Sequence, residues 1–308
     1  MSDEDLPQAT RSGFVTIAGR TNVGKSTLLN RILGTPVAVV SRKPQTTRNR
    51  ILGAHHFPGG QIVFVDTPGL HQPERELGKR MLATAHAALA DCDVVLLVAD
   101  CAHPPGEPEE EVVRRAGSRP ILLALNKVDL ADKPALLPRI AEYHRLAVFE
   151  SIHPVSAATG VGVRELVEQL EDRMGEGPPY FPEGLVTDAP DSFLAAELIR
   201  GEVMERTGQE IPYCVAVKVD EWSERADRGD VVVHASILVD RQSQQGMLVG
   251  KGGHKVREIG TAARKRLSRR FGCPVHLVLR VDTAENWTRT GKALDQFGYV
   301  DPGAEGGS

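Results

Sequence analysis

The sequence predicts an α/β domain built on a mostly parallel sheet, followed by a smaller α+β domain, and three observations carry that prediction. A stretch of the form G-x-x-x-x-G-K-[ST], Gly19-Arg20-Thr21-Asn22-Val23-Gly24-Lys25-Ser26, joins an apolar strand to a helix. Apolar segments of strand length then alternate with helical ones as far as residue 174. Beyond a proline-rich break the order becomes helix, strand, strand, helix, a Gly-x-x-Gly loop, helix and strand.

At 308 residues the chain is too long for one small core and suits two domains. It is 41% hydrophobic and 25% charged, with a net charge of -4, which is ordinary for a globular protein and gives no overall hint of nucleic-acid binding. Cys92, Cys101, Cys214 and Cys273 lie far apart with no C-x-x-C, which argues against a zinc site or a disulfide framework and suits reduced thiols in a cytosolic protein. The acidic start Met1-Ser2-Asp3-Glu4-Asp5 is followed by no apolar run, so no secretory signal is expected. The longest apolar runs, such as 94–99, are of strand length, and no membrane span is expected.

The first strand, Phe14-Val15-Thr16-Ile17-Ala18, runs into the glycine-rich loop, and Leu28, Leu29, Ile32 and Leu33 follow at helical spacing until Gly34 and Pro36. Backbone N–H groups of such a loop, at the positive end of a helix dipole, form a nest for a di- or triphosphate. Lys25 adds charge on the outer phosphates, and the Ser26 hydroxyl suits Mg²⁺. The polar, basic stretch Ser41 to Arg48 reads as an exposed loop. Segments 50–57 and 62–65 flank Pro58-Gly59-Gly60 and read as a hairpin, and the second ends in Asp66-Thr67-Pro68-Gly69, where a Mg²⁺-organising carboxylate belongs.

Two buried-strand candidates, 94–99 and 121–125, follow, separated by a charged helical stretch. The second leads into Asn126-Lys127-Val128-Asp129. A carboxylate at that point accepts two hydrogen bonds from the N1–H and N2–H₂ edge of guanine, whereas adenine presents an acceptor at N1 and would leave it unpaired. A last strand, 152–155, leads to Ser156-Ala157-Ala158, small residues whose N–H groups can approach the base carbonyl. Val163, Leu166, Val167 and Leu170 then line one helix face.

This order of motifs resembles the translation-factor-related GTPases, and specifically the Era family. The resemblance implies GTP as substrate and GDP as product. It implies phosphate contacts from Gly19 to Thr27, a first switch through Gln45-Thr46-Thr47-Arg48 and a second beginning at Asp66-Thr67-Pro68-Gly69. Guanine reading falls on Asn126, Lys127 and Asp129, with backbone contacts at Ser156 and Ala157. Mg²⁺ is expected on Ser26, Asp66 and Thr47, with Thr46 as the alternative to Thr47. Asn22, Lys25, Thr47, Asp66 and Gly69 are the expected catalytic set. Many signalling GTPases carry a water-orienting glutamine where this chain has Leu70, and leucine cannot hydrogen-bond water. In the resembling subgroup an asparagine at the place of Asn22 helps hold K⁺, which implies K⁺-assisted hydrolysis.

Gly175 to Pro182 is a proline-rich linker. Asp191 is a candidate cap for a helix to Arg206, and two strands follow with Val215, Val217 and Val219, then Val231, Val233, Ala235, Ile237 and Val239, on shared faces. A short helix near 246–249, the loop Gly250-Lys251-Gly252-Gly253, a long helix to Phe271 and a strand over 275–281 complete the order of a bacterial-type (type II) KH RNA-binding domain. Glycine there lets a sugar-phosphate chain approach the backbone. Lys251, Lys255, Arg257, Arg264, Lys265, Arg266, Arg269 and Arg270 stand against the single acid Glu258, an electrostatic footprint for RNA. A narrow groove taking about four nucleotides is expected beside the loop, with Val249, Val256 and Ile259 as its apolar candidates and Gly250, Lys251, Gly252, Gly253, Lys255, Arg257 and Arg264 as the remaining RNA contacts.

Phe181-Pro182-Glu183, Ala263-Arg264 and the closing Gly298-Tyr299-Val300-Asp301 extend the Era resemblance to nearly the whole chain. It implies binding to the 3′ end of 16S ribosomal RNA on the 30S subunit and a role in small-subunit maturation, by a cytoplasmic monomer with peripheral association at the inner membrane surface. The expected division is a flexible terminus 1–12, a P-loop GTPase domain 13–174, a linker 175–190, a KH domain 191–301 and a disordered tail 302–308. Two competing readings are an RNA-binding module with a purely structural nucleotide site, and a membrane-surface GTPase using the basic helix on anionic lipid.

Overall fold

The structure, a computed structural model, describes residues 10–41, 43–70, 73, 75–208, 210–299 and 301. Residues 1–9 of the expected flexible terminus, the tail 302–308 and Val300 of the closing motif lie outside the described residues. The chain forms two compact units that are not consecutive in sequence. The first gathers the described residues of 10–37, 50–70 and 84–188, and the second those of 38–49, 73–83 and 189–301.

In the first unit the order is β1 (Arg11–Ala18), α1 (Lys25–Leu33), β2 (Ile51–Phe57), β3 (Gly60–Asp66), α2 (Glu76–Ala90), β4 (Val94–Asp100), α3 (Glu107–Ala116), β5 (Ile121–Asn126), α4 (Lys133–Leu146), β6 (Ser151–Pro154), α5 (Val163–Glu171) and β7 (Gly175–Glu176). Helix α2 is divided, its first turns to Ala83 belonging to the second unit. The sheet runs β2-β3-β1-β4-β5-β6. Strands β3, β1, β4, β5 and β6 are parallel, and β2 is antiparallel to β3. Buried on both faces, β4 and β5 have near-continuous apolar runs, as a covered parallel sheet requires. The parallel arrangement brings the ends of β1, β3, β4 and β5, with Ala18, Asp66, Asp100 and Asn126, to one edge.

Arg11 and Ser12, expected in the flexible terminus, begin β1 because they pair with Glu176 and Gly175 of β7 as well as with β3. The expected linker is likewise stapled to this unit. The buried Gln61 side chain accepts the Tyr180 and Phe181 N–H groups at 2.7 and 2.9 Å and donates to the Phe181 carbonyl at 3.0 Å. Phe181 is buried against Ala54 and Val63, and the Ala54 N–H donates to the Val186 carbonyl at 2.7 Å.

The second unit contains α6 (Asp191–Arg206), α7 (Ile211–Cys214), β8 (Ala216–Arg225), β9 (Asp230–Val239), α8 (Gln242–Val249), α9 (His254–Phe271), β10 (Val275–Thr283) and α10 (Gly291–Gln296). Its sheet, β10-β9-β8, pairs β9 parallel to β10 and antiparallel to β8. Ile199 and Val203 of α6, and Ile259, Ala263 and Leu267 of α9, are fully buried against Val233, Ala235, Ile237 and Val239. Asp191 is not the cap of α6: Pro190 holds that position and Asp191 begins the helix, where its charge suits the dipole. The stretch 41–48 is not wholly an exposed loop, since Thr47 and Arg48 are only 3% and 2% exposed.

Candidate functional site

The glycine-rich loop between β1 and α1 depends on its glycines for space. A Cβ at Gly19, where φ is +141°, would lie 2.2 Å from the Val98 carbonyl oxygen, and one at Gly24, where φ is +101°, would lie 2.3 Å from Asn126 Nδ2. Asn22 adopts the left-handed region at φ 63°. Lys25 is buried and its Nζ donates to the Gly19 and Arg20 carbonyls at 3.1 and 2.7 Å. Burial pushes its ammonium down to about 8, against the opposing pull of Asp66 and Glu109. The Ser26 hydroxyl donates to the buried Asp66 carboxylate at 2.7 Å, and Thr67 Oγ1 donates to the Ile17 carbonyl at 2.8 Å, so the end of β3 is fastened to β1 and α1.

Gly69 lies so close to the loop that a Cβ would meet the Thr21 N and Cα at 2.8 Å. The next N–H, of Leu70, donates to the Gly19 carbonyl at 3.2 Å, and the Leu70 side chain is buried. The Arg20 side chain is held by α3: its Nε donates to Glu109 Oε2 at 2.8 Å, a carboxylate only 1% exposed that also accepts the Gly106 N–H.

Asn126 ties three strand ends together. Its Nδ2 donates to the Val23 carbonyl at 2.8 Å and its Oδ1 accepts the Ala157 N–H at 2.9 Å. Lys127, left-handed at φ 68°, extends its Nζ to Asp100 Oδ2 at 2.8 Å. Burial alone would raise the Asp100 carboxyl, but hydrogen bonds from Lys127 and the Ala102 N–H outweigh it and hold the group below the usual carboxylate range. Asp129 stands exposed on a single 3₁₀ turn, Val128–Leu130. The Ser156 hydroxyl accepts the Thr159 N–H and shapes the small-residue loop. Gly19 to Thr27, Asp66 to Gly69, Asn126 to Asp129, and Ser156 and Ala157 therefore meet at one edge of the first unit. Thr47 belongs to the second unit. No motif in the sequence marks Asp100 or Glu109: Asp100 has only its place at the end of a buried strand, and Glu109 lies in a run of surface-like acids.

In the second unit Gly250, Gly252 and Gly253 all have positive φ, at 69°, 61° and 76°. A Cβ at Gly250 would crowd Lys255 at 2.8 Å, but among the described residues nothing lies within 4 Å of one at Gly252. Lys251 and Gly252 are exposed, as are Arg257 and Arg264, and Lys255 pairs with Glu258 at 3.1 Å. Val249 and Val256 are half-buried beside the loop. Ile259, expected as a groove residue, is fully buried in the core and backs the surface instead of lining it, because its helix face points at β9 and β10.

Fold and site together define a phosphate-loop nucleotide-binding domain followed by a KH-type domain. The chain matches a family model described as 50S ribosome-binding GTPase over residues 14–127, and a KH domain model over residues 210–288. It is 47% identical to GTPase Era of Geobacter metallireducens, covering 94% of this chain and 98% of that one, and 45% identical to GTPase Era of Geotalea uraniireducens with the same coverage. Among solved structures it is similar to a variant of Aquifex aeolicus Era bound to GDP·AlF₄⁻, at 36% identity and a TM-score of 0.90, covering 94% of this chain and 100% of that one. A structure of Era with MgGDPNP and nucleotides 1506–1542 of 16S ribosomal RNA matches with a TM-score of 0.90 and 36% identity, covering 94% and 99%. The chain belongs to the Era family of GTPases.

Proposed function

We propose that this chain is a GTP-hydrolysing switch that binds the 3′ end of 16S ribosomal RNA through residues 191–301 and assists maturation of the 30S subunit. The observation that carries the nucleotide half is Asn126, whose two hydrogen bonds hold the phosphate loop and the Ser156-Ala157 loop around the exposed Asp129 carboxylate. A carboxylate so placed suits the paired donors of guanine. The RNA half rests on the relatives and on the Gly250–Gly253 loop, with Arg257 and Arg264 exposed on the helix that follows it.

Among the described residues no group of three or more His, Cys, Asp or Glu gathers to cage a metal. Ser26 Oγ and the Asp66 carboxylate, 2.7 Å apart, are instead the hard oxygen pair that suits Mg²⁺ shared with phosphate oxygens. Mg²⁺ held by Ser26 and Asp66 would supply positive charge against bound phosphate. Lys25, held over the loop by two carbonyls, is placed to set its ammonium against phosphate oxygens, whose negative charge favours the protonated form. The buried Leu70 side chain cannot orient water. K⁺ near Asn22 would supply the missing positive charge, in a cytoplasmic, monomeric protein with peripheral membrane contact. No helix among the described residues is long and apolar enough to cross a membrane.

The test is GTP turnover with Mg²⁺ in K⁺ and in Na⁺ at equal ionic strength. Turnover that is much faster in K⁺ is expected. Equal rates remove the K⁺ role, and no turnover in either salt favours a structural nucleotide site.

A further inference from the structure

Arg48 lies in a polar, basic stretch of the kind that ordinarily stays in solvent, yet it is 2% exposed. Its guanidinium is seated within the second unit. Nη1 donates to the Val215 carbonyl and Nη2 to the Pro212 carbonyl, both at 2.7 Å. Both carbonyls lie at the short helix α7, whose last carbonyls have no helical donors ahead of them. The cation also lies 5.9 Å from the ring centres of Trp287 and Tyr299, which stack on one another at 5.6 Å. Trp287 is fully buried and its indole N–H donates to the Cys214 carbonyl at 2.9 Å, so the socket is fixed from the same short helix.

A second anchor stands beside it. Arg200, 1% exposed and paired with Glu197, donates to the Thr46 carbonyl. Thr47 is therefore held between two buried arginine contacts, one at the residue before it and one at the residue after. Helix α2 enters the same cluster: Leu77 and Met81 pack with Trp287, Leu294 and Tyr299, and Arg80 donates to the Tyr299 carbonyl and to Asp295. Tyr299, from the closing Gly298-Tyr299 motif, thus meets both segments that follow the phosphate-binding elements in sequence.

We propose that the Arg48 socket is the positioning device through which nucleotide state reaches the RNA-binding unit, an inference that rests on the GTP and RNA reading above. Residues 38–49 leave the first unit after Val37 and return to it at Arg50. A nucleotide that favours one placement of Thr47 must either keep or disturb the anchors on both sides of it. By reciprocity, whatever alters the socket alters nucleotide preference by the same factor. Arg48 touches no reacting atom in this scheme; it positions Thr46 and Thr47.

The experiment uses the full chain with Trp222→Phe, which leaves Trp287 as the only tryptophan of the two in the sequence. Its emission is recorded with GDP and then with a non-hydrolysable GTP analogue, alongside retention of labelled GDP. We expect a shift between the two states. Arg48→Ala and Tyr299→Leu should abolish it, and Arg48→Lys, which keeps the charge but not the fork to two carbonyls, should reduce it. In the same variants the ratio of RNA affinities between the two nucleotides should fall from about tenfold or more to about threefold or less. If Arg48→Ala does not fold, the other two variants carry the test. A protein that binds GDP but shows no emission change, or an undiminished change in the variants, overturns the socket. A protein that retains no GDP overturns the nucleotide reading itself.

Discussion

Asn126→Ala separates holding the site from reading the base. The substitution removes two hydrogen bonds, to Val23 at 2.8 Å and from Ala157 at 2.9 Å, in a residue that is 2% exposed. It leaves a backbone carbonyl and a backbone N–H without those partners, and each orphaned buried group costs about 1–3 kcal/mol. The ligand-free protein should therefore lose about 2–6 kcal/mol of stability. Asp129→Asn makes the contrast. Asp129 is exposed, so its replacement should leave stability within about 0.5 kcal/mol. It should weaken GDP by about a hundredfold, because two hydrogen bonds to a charged acceptor at about 1.5 kcal/mol each convert to that factor. Urea unfolding without nucleotide, followed by circular dichroism, and GDP binding by calorimetry give the two readouts. If Asn126→Ala unfolds at the wild-type midpoint, its two bonds do not hold the loops, and the reasoning fails.

Lys25 gives a pH signature. Its folded value of about 8 lies below the unfolded 10.5, so the charging penalty is complete below pH 8 and is relieved as pH rises to 10.5. That relief is worth about 3 kcal/mol as an order of magnitude, and Lys25→Met should flatten the rise in ligand-free stability across this window. An unchanged slope would place the titration elsewhere. Gly253→Asp should weaken RNA binding by about tenfold or more through repulsion of phosphate, while stability falls by about 1–2 kcal/mol, the cost of a side chain at φ +76°, since among the described residues the only neighbour within 4 Å of a Cβ there is Arg257 Nη2 at 3.9 Å. Filter binding and thermal melts check the pair. Gly69→Ala places a methyl against the Thr21 backbone at 2.8 Å, and single-turnover assays should show a fall in hydrolysis larger than the fall in GDP affinity.

The phosphate loop, the strand alternation and the KH order were legible because each is local: glycine spacing, period-2 and period-3.6 patterns and capping residues all act within about 20 residues. Helix α1 ends at left-handed Gly34, and α5 buries Val163, Leu166, Val167 and Leu170, as their spacing requires. What escaped depends on distant partners. The burial of Arg48 needs carbonyls and rings supplied by residues 212–299, and no local pattern announces them. Helices α2 and α4 lie between recognisable strands without a motif of their own, and α10, six residues long, is too short for periodicity to reveal. The docking of the linker through Gln61 was hidden because a lone glutamine in a strand ordinarily reads as surface.

The coupling of nucleotide to RNA is tested by the affinity of a short single-stranded RNA from the 16S 3′ end, measured at fixed salt with GDP and then with a non-hydrolysable GTP analogue. A difference of about tenfold or more, about 1.4 kcal/mol, is expected of a switch. Equal affinity in the two states would make the KH-type unit a constitutive anchor, and no binding in either state would remove the RNA from the proposed function.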